Sequence, residues 1–492
     1  MISLSCDQIV SAVGGEACGA LPRAAAQGVA AALDAVRPGV VFVAIKGFSA
    51  DGHAFVGAAF ERGAVACVVE DPASLGGRPG IVVKSSRRAL SRLAALFNGE
   101  PSKKMKVVGI TGTNGKTTTN WIAYHVMNRL GKGALRIGTL GTELNGQDTI
   151  AGTLTSPDAL SVHALLAHAL AQGADSCVME ASSHALHQAR VEDVEFDVAV
   201  FTNLTRDHLD YHGTFEAYFA AKRHLFELLQ GSSKGTKAAV INVDDPYGAK
   251  LSEELAGLGL RDFTFGRSES AAVRIVELSE TPSSMILGLS IRDVSESISI
   301  EAPFIGLHNA ENVVGAFAAC VALGFRPADV AQALRTVPQV PGRLERVGTG
   351  SKRVFVDYAH TPDALERVIS AVRPSTTGKL WVVFGCGGDR DRGKRPQMAR
   401  VAAAGADHVV VTSDNPRTEK PEAIIEDILS EGVQPTFVDS DRRSAITKAL
   451  TEACANDTVL IAGKGHEDYQ IIGKEKIYFS DQAVAREALK GV

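Results

Sequence analysis

No uncharged apolar run in the 492 residues reaches the roughly 20 positions that a membrane-spanning helix needs. No extended basic tract is present either, and with a net charge of -5 the chain is a poor match for nucleic acid or an anionic membrane as its main partner. That balance still permits a local basic pocket for phosphates. The seven cysteines are scattered, odd in number and never at Cys-x-x-Cys spacing, so they are expected to be reduced core thiols. The opening residues Met1 to Gln8 carry no basic segment ahead of an apolar one, which leads us to expect a cytoplasmic protein. What is present is ample core material: 45% of the residues are hydrophobic, and the length suggests about three domains of roughly 150 residues.

The stretch Lys106 to Thr119 organises the rest. A short β-branched run ends in a glycine-containing turn, Gly112-Thr113-Asn114-Gly115, and a helix-compatible segment begins near Lys116. Gly112 and Gly115 let several backbone N–H groups face one anion, and the helix adds its positive end. Lys116 can supply charge to outer phosphates, and the hydroxyl of Thr117 is placed for magnesium. The standard phosphate-loop pattern asks for glycine five positions before Gly115, where this chain has Ile110, so the loop is a variant.

Before this loop, Gly39 to Ile45 and Ala64 to Glu70 read as strands, and the Ala-rich patch Ala24 to Leu33 reads as helix-prone. Lys46 to His53, which includes Phe48-Ser49-Ala50-Asp51-Gly52, is a turn-rich loop that could bind a ligand or only connect. Asn98 to Lys104 is polar and turn-forming, a first domain boundary. After the loop, Asp175 to Ser183 reads as a strand that delivers Glu180 at its end, as a magnesium ligand or as an ordinary strand-end acid. The strand Asp197 to Thr202 runs into a polar segment ending at His212, dense enough in titratable groups to suggest a site that includes His208. Lys222 lies on an amphipathic helix, where a desolvated amine and a snorkelling side chain are both open readings. Gly306-Leu307-His308-Asn309 opens a small-residue helix; its polar start could read a base or cap the helix.

A second boundary falls around Val337 to Lys352, where prolines and glycines interrupt any period. Beyond it strand and helix alternate: Arg353 to Asp357, Leu380 to Phe384, His408 to Thr412, Thr436 to Val438 and Thr458 to Ala462. That alternation predicts a doubly wound parallel sheet with ligands at its carboxyl ends. Those ends carry Asp357 to Pro362, Gly385 to Arg392, Ser413 to Arg417 and Gly463 to Glu467.

These motifs in this order resemble the Mur ligases, the ATP-dependent amide ligases of peptidoglycan stem-peptide synthesis. The resemblance spans essentially the whole chain. It rests on Gly112 to Thr118, Met179-Glu180-Ala181-Ser182-Ser183-His184, Thr202 to Asp210, Gly306 to Asn309, Pro341-Gly342-Arg343, Asp357-Tyr358-Ala359-His360 and Gly463 to Glu467. It implies an α/β protein of three domains: an N-terminal α/β domain for a UDP-substrate (1–103), a central P-loop-type ATPase α/β domain (104–340) and a C-terminal Rossmann-like, doubly wound α/β domain (341–492). Asp414-Asn415-Pro416-Arg417 is similar to the signature of the members that add meso-diaminopimelate to UDP-N-acetylmuramoyl-L-alanyl-D-glutamate, although it is also a good turn. Lysine-adding members typically have no such arginine. One departure is Ala32-Leu33-Asp34, which stands where family members often carry Asp-Ser-Arg, with Arg37-Pro38-Gly39 retained. The details of uridine recognition are therefore open.

The resemblance implies roles residue by residue. ATP would be held by Gly112, Thr113, Asn114, Gly115, Lys116, Thr117 and Thr118, with Asn309, Arg343 and Asp357 contacting the nucleotide from elsewhere in the chain. Mg2+ would lie on Thr117, Glu180, His208 and Lys222, the last carbamylated by CO2 into N6-carboxylysine. Lys116, Glu180, His208 and Lys222 form the expected catalytic set. Thr155, Ser156, Ser182, Gln188 and Arg190 would contact the UDP-muramoyl substrate. Arg390, Asp414, Asn415, Pro416, Arg417, Gly463 and Glu467 would bind diaminopimelate, whose extra carboxylate suits a guanidinium. Domain closure would exclude water from an acyl phosphate. The expected partners are these small molecules alone, with no nucleic acid and no membrane, and the expected state is a monomer. An L-lysine-adding ligase, a folate-extending relative, a phosphate-loop kinase and a non-catalytic nucleotide-binding descendant are the alternatives. The last two are disfavoured by the third-domain clusters and by the complete set Lys116, Glu180, His208 and Lys222 respectively.

Overall fold

A computed structural model describes residues 2–47, 50–150, 154–281, 283–294, 297–348, 350 and 352–490, with the side chains of 148–150 excepted. Phe48 and Ser49 of the turn-rich loop lie outside the described residues. The chain divides into two compact units, 1–274 with 314–333, and 275–313 with 334–492.

The first unit holds two sheets. Residues Gly28–Ala30, Val40–Val43, Ala66–Val69 and Gly80–Val82 run parallel in that order, and Glu16–Cys18 closes the far edge antiparallel to Gly80–Val82. Val40–Val43 and Ala66–Val69 are buried along their whole length, as continuous apolar runs of a sheet covered on both faces should be. The Ala-rich patch is not a helix: Gly28–Ala30 pairs in parallel with Val40, Val41 and Phe42, and Leu33–Ala35 forms only a single 3₁₀ turn. Alanine's weak helix preference is overridden there by a buried sheet position, Ala30 being in the core.

The larger sheet has the order Arg261–Asp262, Ala238–Ile241, Val198–Phe201, Lys106–Thr111, Ser176–Glu180, Ala134–Gly138, Gly141–Leu144 and Gln147–Ile150. The first six are parallel and the last two are added as antiparallel hairpins. From Lys106–Thr111 the chain crosses to Ala134–Gly138, returns to Ser176–Glu180 beside the starting strand, and then moves to Val198–Phe201 on its other side. The order therefore reverses at Lys106–Thr111, a switch point whose carboxyl end is the usual ligand crevice of an open α/β sheet. Its core joins Val107, Ile137, Met179, Phe201 and Leu225, all essentially excluded from water.

The second unit is built on a six-stranded sheet in the order Glu345–Val347, Arg353–Asp357, Thr458–Ala462, Leu380–Phe384, His408–Thr412 and Phe437–Asp439. Five strands are parallel, and Glu345–Val347 adds an antiparallel edge that the strand and helix alternation did not reveal. Helices Pro362–Val372 and Lys394–Gly405 pack in one core layer and Arg442–Glu452 in the other, so the sheet is doubly wound as expected. Five of the seven cysteines are buried thiols; Cys18 is half-buried and Cys454 exposed, so the expectation of a wholly internal set is corrected for those two.

Candidate active site

The phosphate loop follows Lys106–Thr111 and ends at the helix Lys116–Leu130, whose N-cap Gly115 has φ 83°. Gly112 has φ 145°, and a side chain there would collide with the Thr202 hydroxyl, so only glycine lets the loop lie against the neighbouring strand end. That strand end pins the loop: Thr113 N donates to Asn203 O (2.9 Å), Asn114 N to Asn203 Oδ1 (2.9 Å), and the Thr202 hydroxyl to Asn114 O (2.6 Å). The Thr113 hydroxyl accepts from Thr205 N (3.0 Å) and lies 3.1 Å from the Tyr218 phenol. Lys116 Nζ curls back over the loop onto the carbonyls of Gly112 (2.9 Å) and Thr113 (2.8 Å). Thr117 and Thr118 are buried in the first helical turn.

Glu180, at the end of Ser176–Glu180, is fully buried. Its Oε2 accepts from the Thr117 hydroxyl (3.1 Å) and its Oε1 from Thr139 N (2.8 Å), while the Thr139 hydroxyl lies 3.2 Å from Oε2. Gly138 leaves room for the carboxylate, since a Cβ there would strike it. The residues assigned to the nucleotide-sugar substrate gather around the same strand end. Thr155 bonds Thr139 (3.1 Å), Ser156 donates to Glu180 O (2.7 Å) and accepts from Ser182 N (3.1 Å), and Arg190 grips Ser156 O (2.8 Å) and Gln188 Oε1 (2.8 Å).

Lys222 is 1% exposed. Its amine donates to Gly112 O (2.6 Å) and lies 4.4 Å from the centre of the Tyr218 ring. Burial first and the Lys116 charge second hold the amine well below the ordinary lysine range, against the opposing pull of Asp207. The snorkelling reading is thus wrong for this lysine. His208 sits at φ 51° with its ring 4.9 Å from that of His184, and burial lowers its imidazole below the usual value. Among the described residues neither His208 nor Lys222 hydrogen-bonds Glu180; the Lys222 amine is held instead on the Gly112 carbonyl of the loop. Nor do three His, Cys, Asp or Glu side chains converge as a metal cluster there. The Thr117 hydroxyl beside the Glu180 carboxylate is nevertheless a hard oxygen pair of the kind Mg2+ uses, because that ion takes few protein ligands and completes its shell with water and phosphate.

In the second unit, Asn309 and Arg343 line one narrow cleft together with Phe304, Leu344 and Phe355. The Arg343 guanidinium stacks 4.5 Å from the centre of the Tyr358 ring. Gly342, at φ 64°, abuts Gly465 and His466 so closely that a Cβ would overlap their backbone. Asp357 accepts from Leu344 N and Ala359 N, both at 2.7 Å, and burial raises its carboxyl to about 6. The Asp414 to Arg417 turn meets Gly463 to Glu467: Asn415 Nδ2 donates to Glu467 Oε2 (3.0 Å), and Gly463, at φ 121°, lies over Asp414. Arg417 adopts φ 51° and donates to Gly388 O (2.7 Å); Pro416 packs its carbonyl against Gly388. Arg390 is exposed, with Gly387 between it and Arg417. The Asp414 to Arg417 turn therefore meets both Gly463 to Glu467 and the Gly387-Gly388 loop, while Arg390 stands exposed beside that loop.

The comparisons with known proteins bear on these arrangements. Family models described as "Mur ligase middle domain", "Mur ligase, glutamate ligase domain" and "Mur ligase family, catalytic domain" match residues 110–320, 342–465 and 34–98. A curated relative from Geobacillus thermodenitrificans (strain NG80-2), named UDP-N-acetylmuramoyl-L-alanyl-D-glutamate--2,6-diaminopimelate ligase, is 45% identical over 461 residues, 92% of this chain and 93% of its own. The chain belongs to the Mur ligase family. A relative of the same name from Geobacter sulfurreducens is 43% identical over 92% of both chains. A solved structure titled with that name aligns at TM-score 0.73 and 32% identity, covering 100% of this Mur ligase and 99% of the other chain. A Mycobacterium tuberculosis folylpolyglutamate synthase aligns at TM-score 0.64 and 19% identity over 76% of the ligase, a likeness of fold alone.

Sequence reasoning passed over four residues that hold this ligase's site together: Thr139 on Glu180, Tyr218 under Lys222, Tyr358 under Arg343 and Lys464 among Asp414, Asn415 and Glu467. Tyr358 and Lys464 stand inside stretches already singled out, and Tyr218 lies one turn before Lys222 on its helix. Thr139 carries no motif and becomes visible only once the strand it follows, Ala134–Gly138, is seen beside Ser176–Glu180.

Proposed function

We propose that this protein is the ATP-dependent amide ligase that joins meso-2,6-diaminopimelate to the D-glutamate of UDP-N-acetylmuramoyl-L-alanyl-D-glutamate in peptidoglycan precursor synthesis. The observation that carries the reading is the environment of Glu180. One oxygen bonds Thr117 of the phosphate loop, and the residues assigned to the nucleotide-sugar close around the same strand end. Phosphoryl donor and carboxylate acceptor would therefore be gathered at one strand terminus.

Joining a carboxylate to an amine is uphill in water, so the D-glutamate side-chain carboxylate first attacks the γ-phosphorus of ATP, giving an acyl phosphate and ADP. The diaminopimelate amine then attacks the acyl carbon, the C–O bond to phosphate breaks, and the amine proton is lost as inorganic phosphate leaves. The loop N–H groups and Lys116 hold the transferring phosphoryl, and the work is mostly positioning and charge stabilisation. Mg2+ would be held by Thr117 and Glu180, with His208 and a carbamylated Lys222 completing the set, and it supplies Lewis-acid neutralisation of the phosphate oxygens. The neutral amine is the form that adds CO2, and burial together with the Lys116 charge shifts Lys222 toward that form, which supports it as the carbamate. Asn309, Arg343 and Asp357 are assigned to the nucleotide, and the cluster from Asp414 to Glu467, with Arg390, to diaminopimelate. We place the domain boundaries at 103/104 and 340/341. The enzyme would act in the cytoplasm on soluble substrates; among the described residues no helix is long and apolar enough to cross a membrane.

The test is phosphate release from ATP with the UDP-dipeptide present, comparing meso-diaminopimelate, L-lysine and no amine. Release dependent on diaminopimelate is expected. Preference for lysine would overturn the specificity and leave the reaction class standing; no release with either amine would overturn the assigned substrate.

A further inference from the structure

We propose that Lys464 is a positioning residue that fixes how the amino-acid pocket presents Asn415, and so helps to set its preference for a substrate with a second carboxylate. The inference rests on the assignment of diaminopimelate to the Asp414 to Glu467 cluster. Lys464 is completely buried at the end of Thr458–Ala462. Its amine reaches Asn415 Oδ1 (3.1 Å), Asp414 Oδ1 (3.4 Å) and Glu467 Oε2 (3.5 Å), and lies 5.5 Å from the centre of the Tyr469 ring.

Those partners decide which way the Asn415 amide faces. Its Oδ1 takes two donors, Lys464 Nζ and the Ile471 N–H (2.9 Å), and its Nδ2 donates to Glu467 Oε2 (3.0 Å). A flipped amide would set N–H groups against both the ammonium and the Ile471 N–H, and an oxygen against a carboxylate, so the alternative is excluded threefold. Nδ2 keeps a second hydrogen, which makes Asn415 a donor toward a substrate carboxylate, two residues before Arg417 in the same turn. Diaminopimelate has a carboxylate at each end and lysine only one. The ammonium also offsets the charge of Asp414 and Glu467, which otherwise repel each other across one buried site. The strand Tyr469–Ile472 supports the same geometry: the Gln470 side-chain amide donates to Asp414 O (2.7 Å), and Arg417 N donates to Ile471 O (3.0 Å).

The test uses the full-length enzyme as wild type, Lys464→Met and Lys464→Gln, with steady-state kinetics for each substrate. Acyl-phosphate formation is followed separately by hydroxylamine trapping in the absence of any amino acid. A lost bond to a buried charged group corresponds to roughly 30-fold in affinity. We expect the diaminopimelate KM of Lys464→Met to rise by about that factor, its selectivity over L-lysine to fall by about tenfold, and trapping to stay within about twofold of wild type. Lys464→Gln keeps a donor for Asn415 Oδ1 without the charge, so its KM should lie between the two; it also carries the test if the Met variant does not fold. A diaminopimelate KM changed less than about threefold in both variants would overturn the proposal. So would trapping activity that falls in step with KM, which marks a structural prop. Wild type that traps hydroxylamine but does not turn over diaminopimelate would overturn the assignment of the pocket, and this inference with it.

Discussion

Lys222→Met separates a structural lysine from a functional one. The native amine is buried and has one hydrogen-bond acceptor, the Gly112 carbonyl, which is also held by Lys116. Removing it costs one hydrogen bond, about 1 kcal/mol, and leaves that carbonyl paired. Against that cost, the folded state no longer has to bury or deprotonate an amine. The sign follows from linkage: between the lowered folded-state value and the ordinary lysine value, the unfolded chain holds a proton that the folded chain does not. Lys222 therefore opposes folding below that window, and its penalty fades as pH rises through it. Lys222→Met should unfold no more than about 1 kcal/mol more easily than wild type at neutral pH, and its stability should depend less on pH over the alkaline range. Its activity should nevertheless fall by at least about 10²-fold, the usual loss when a charge-stabilising group is removed at phosphoryl transfer. Two assays check this: denaturant unfolding across pH, and phosphate release with all three substrates. Wild type in CO2-depleted buffer should lose activity and regain it with bicarbonate, whereas the variant should not respond. A variant that keeps more than about a tenth of wild-type activity would refute the carbamate reading. An activity loss matched by several kcal/mol of destabilisation would refute the argument that this lysine is there for chemistry.

Thr139→Val keeps the N–H that holds Glu180 Oε1 and removes the hydroxyl facing Oε2 and Thr155; kcat should fall roughly tenfold with the ATP KM nearly unchanged, and unfolding should be easier by only about 1 kcal/mol. Arg417→Ala removes the guanidinium held on Gly388 O, and the diaminopimelate KM should rise roughly 10²-fold while L-lysine turnover changes little; equal loss for both amines would show that Arg417 only shapes its turn. Asp357, raised to about 6 by burial, holds a proton in the folded state that the unfolded chain has released above about pH 3.8. Its stabilising contribution is complete below that value and is lost as pH rises through 6. The difference in unfolding free energy between wild type and Asp357→Asn, followed from pH 3.5 to about 7.5, should decline in that window and then level off.

What could be read from the chain depended on whether its cause was local. Arg353–Asp357, Leu380–Phe384, His408–Thr412 and Thr458–Ala462 were legible to the residue because short β-branched runs buried on both faces look the same wherever they occur. Phe437–Asp439 slipped by one residue, since an edge strand has a partner on one side only and a weaker apolar signature. Ala24 to Leu33 misled because alanine favours helix by a fraction of a kcal/mol, less than a buried parallel pairing with Val40–Val43 supplies. Glu180 could be placed at a strand end, but what holds it could not, because Thr139 reaches it only through the register that sets Ile137 opposite Met179.

The same division runs through the two lysines. Lys222 stands in a helix pattern that fits a snorkelling chain, and its burial follows from the packing of Phe215–Gly231 against the loop carbonyl of a residue 110 positions earlier. Lys464 sits three residues from Glu467, a spacing any reader could pair, yet its effect on Asn415 and Asp414 spans about fifty residues and three strand ends. The motifs hold the residues we assign to substrate, whereas the contacts that orient those residues are tertiary: Lys464 stands inside a motif yet acts across the fold, and Thr139 stands in none. Thr139→Val therefore leaves every family motif intact and should still lower kcat, because what it removes is a contact made across the fold rather than a motif residue.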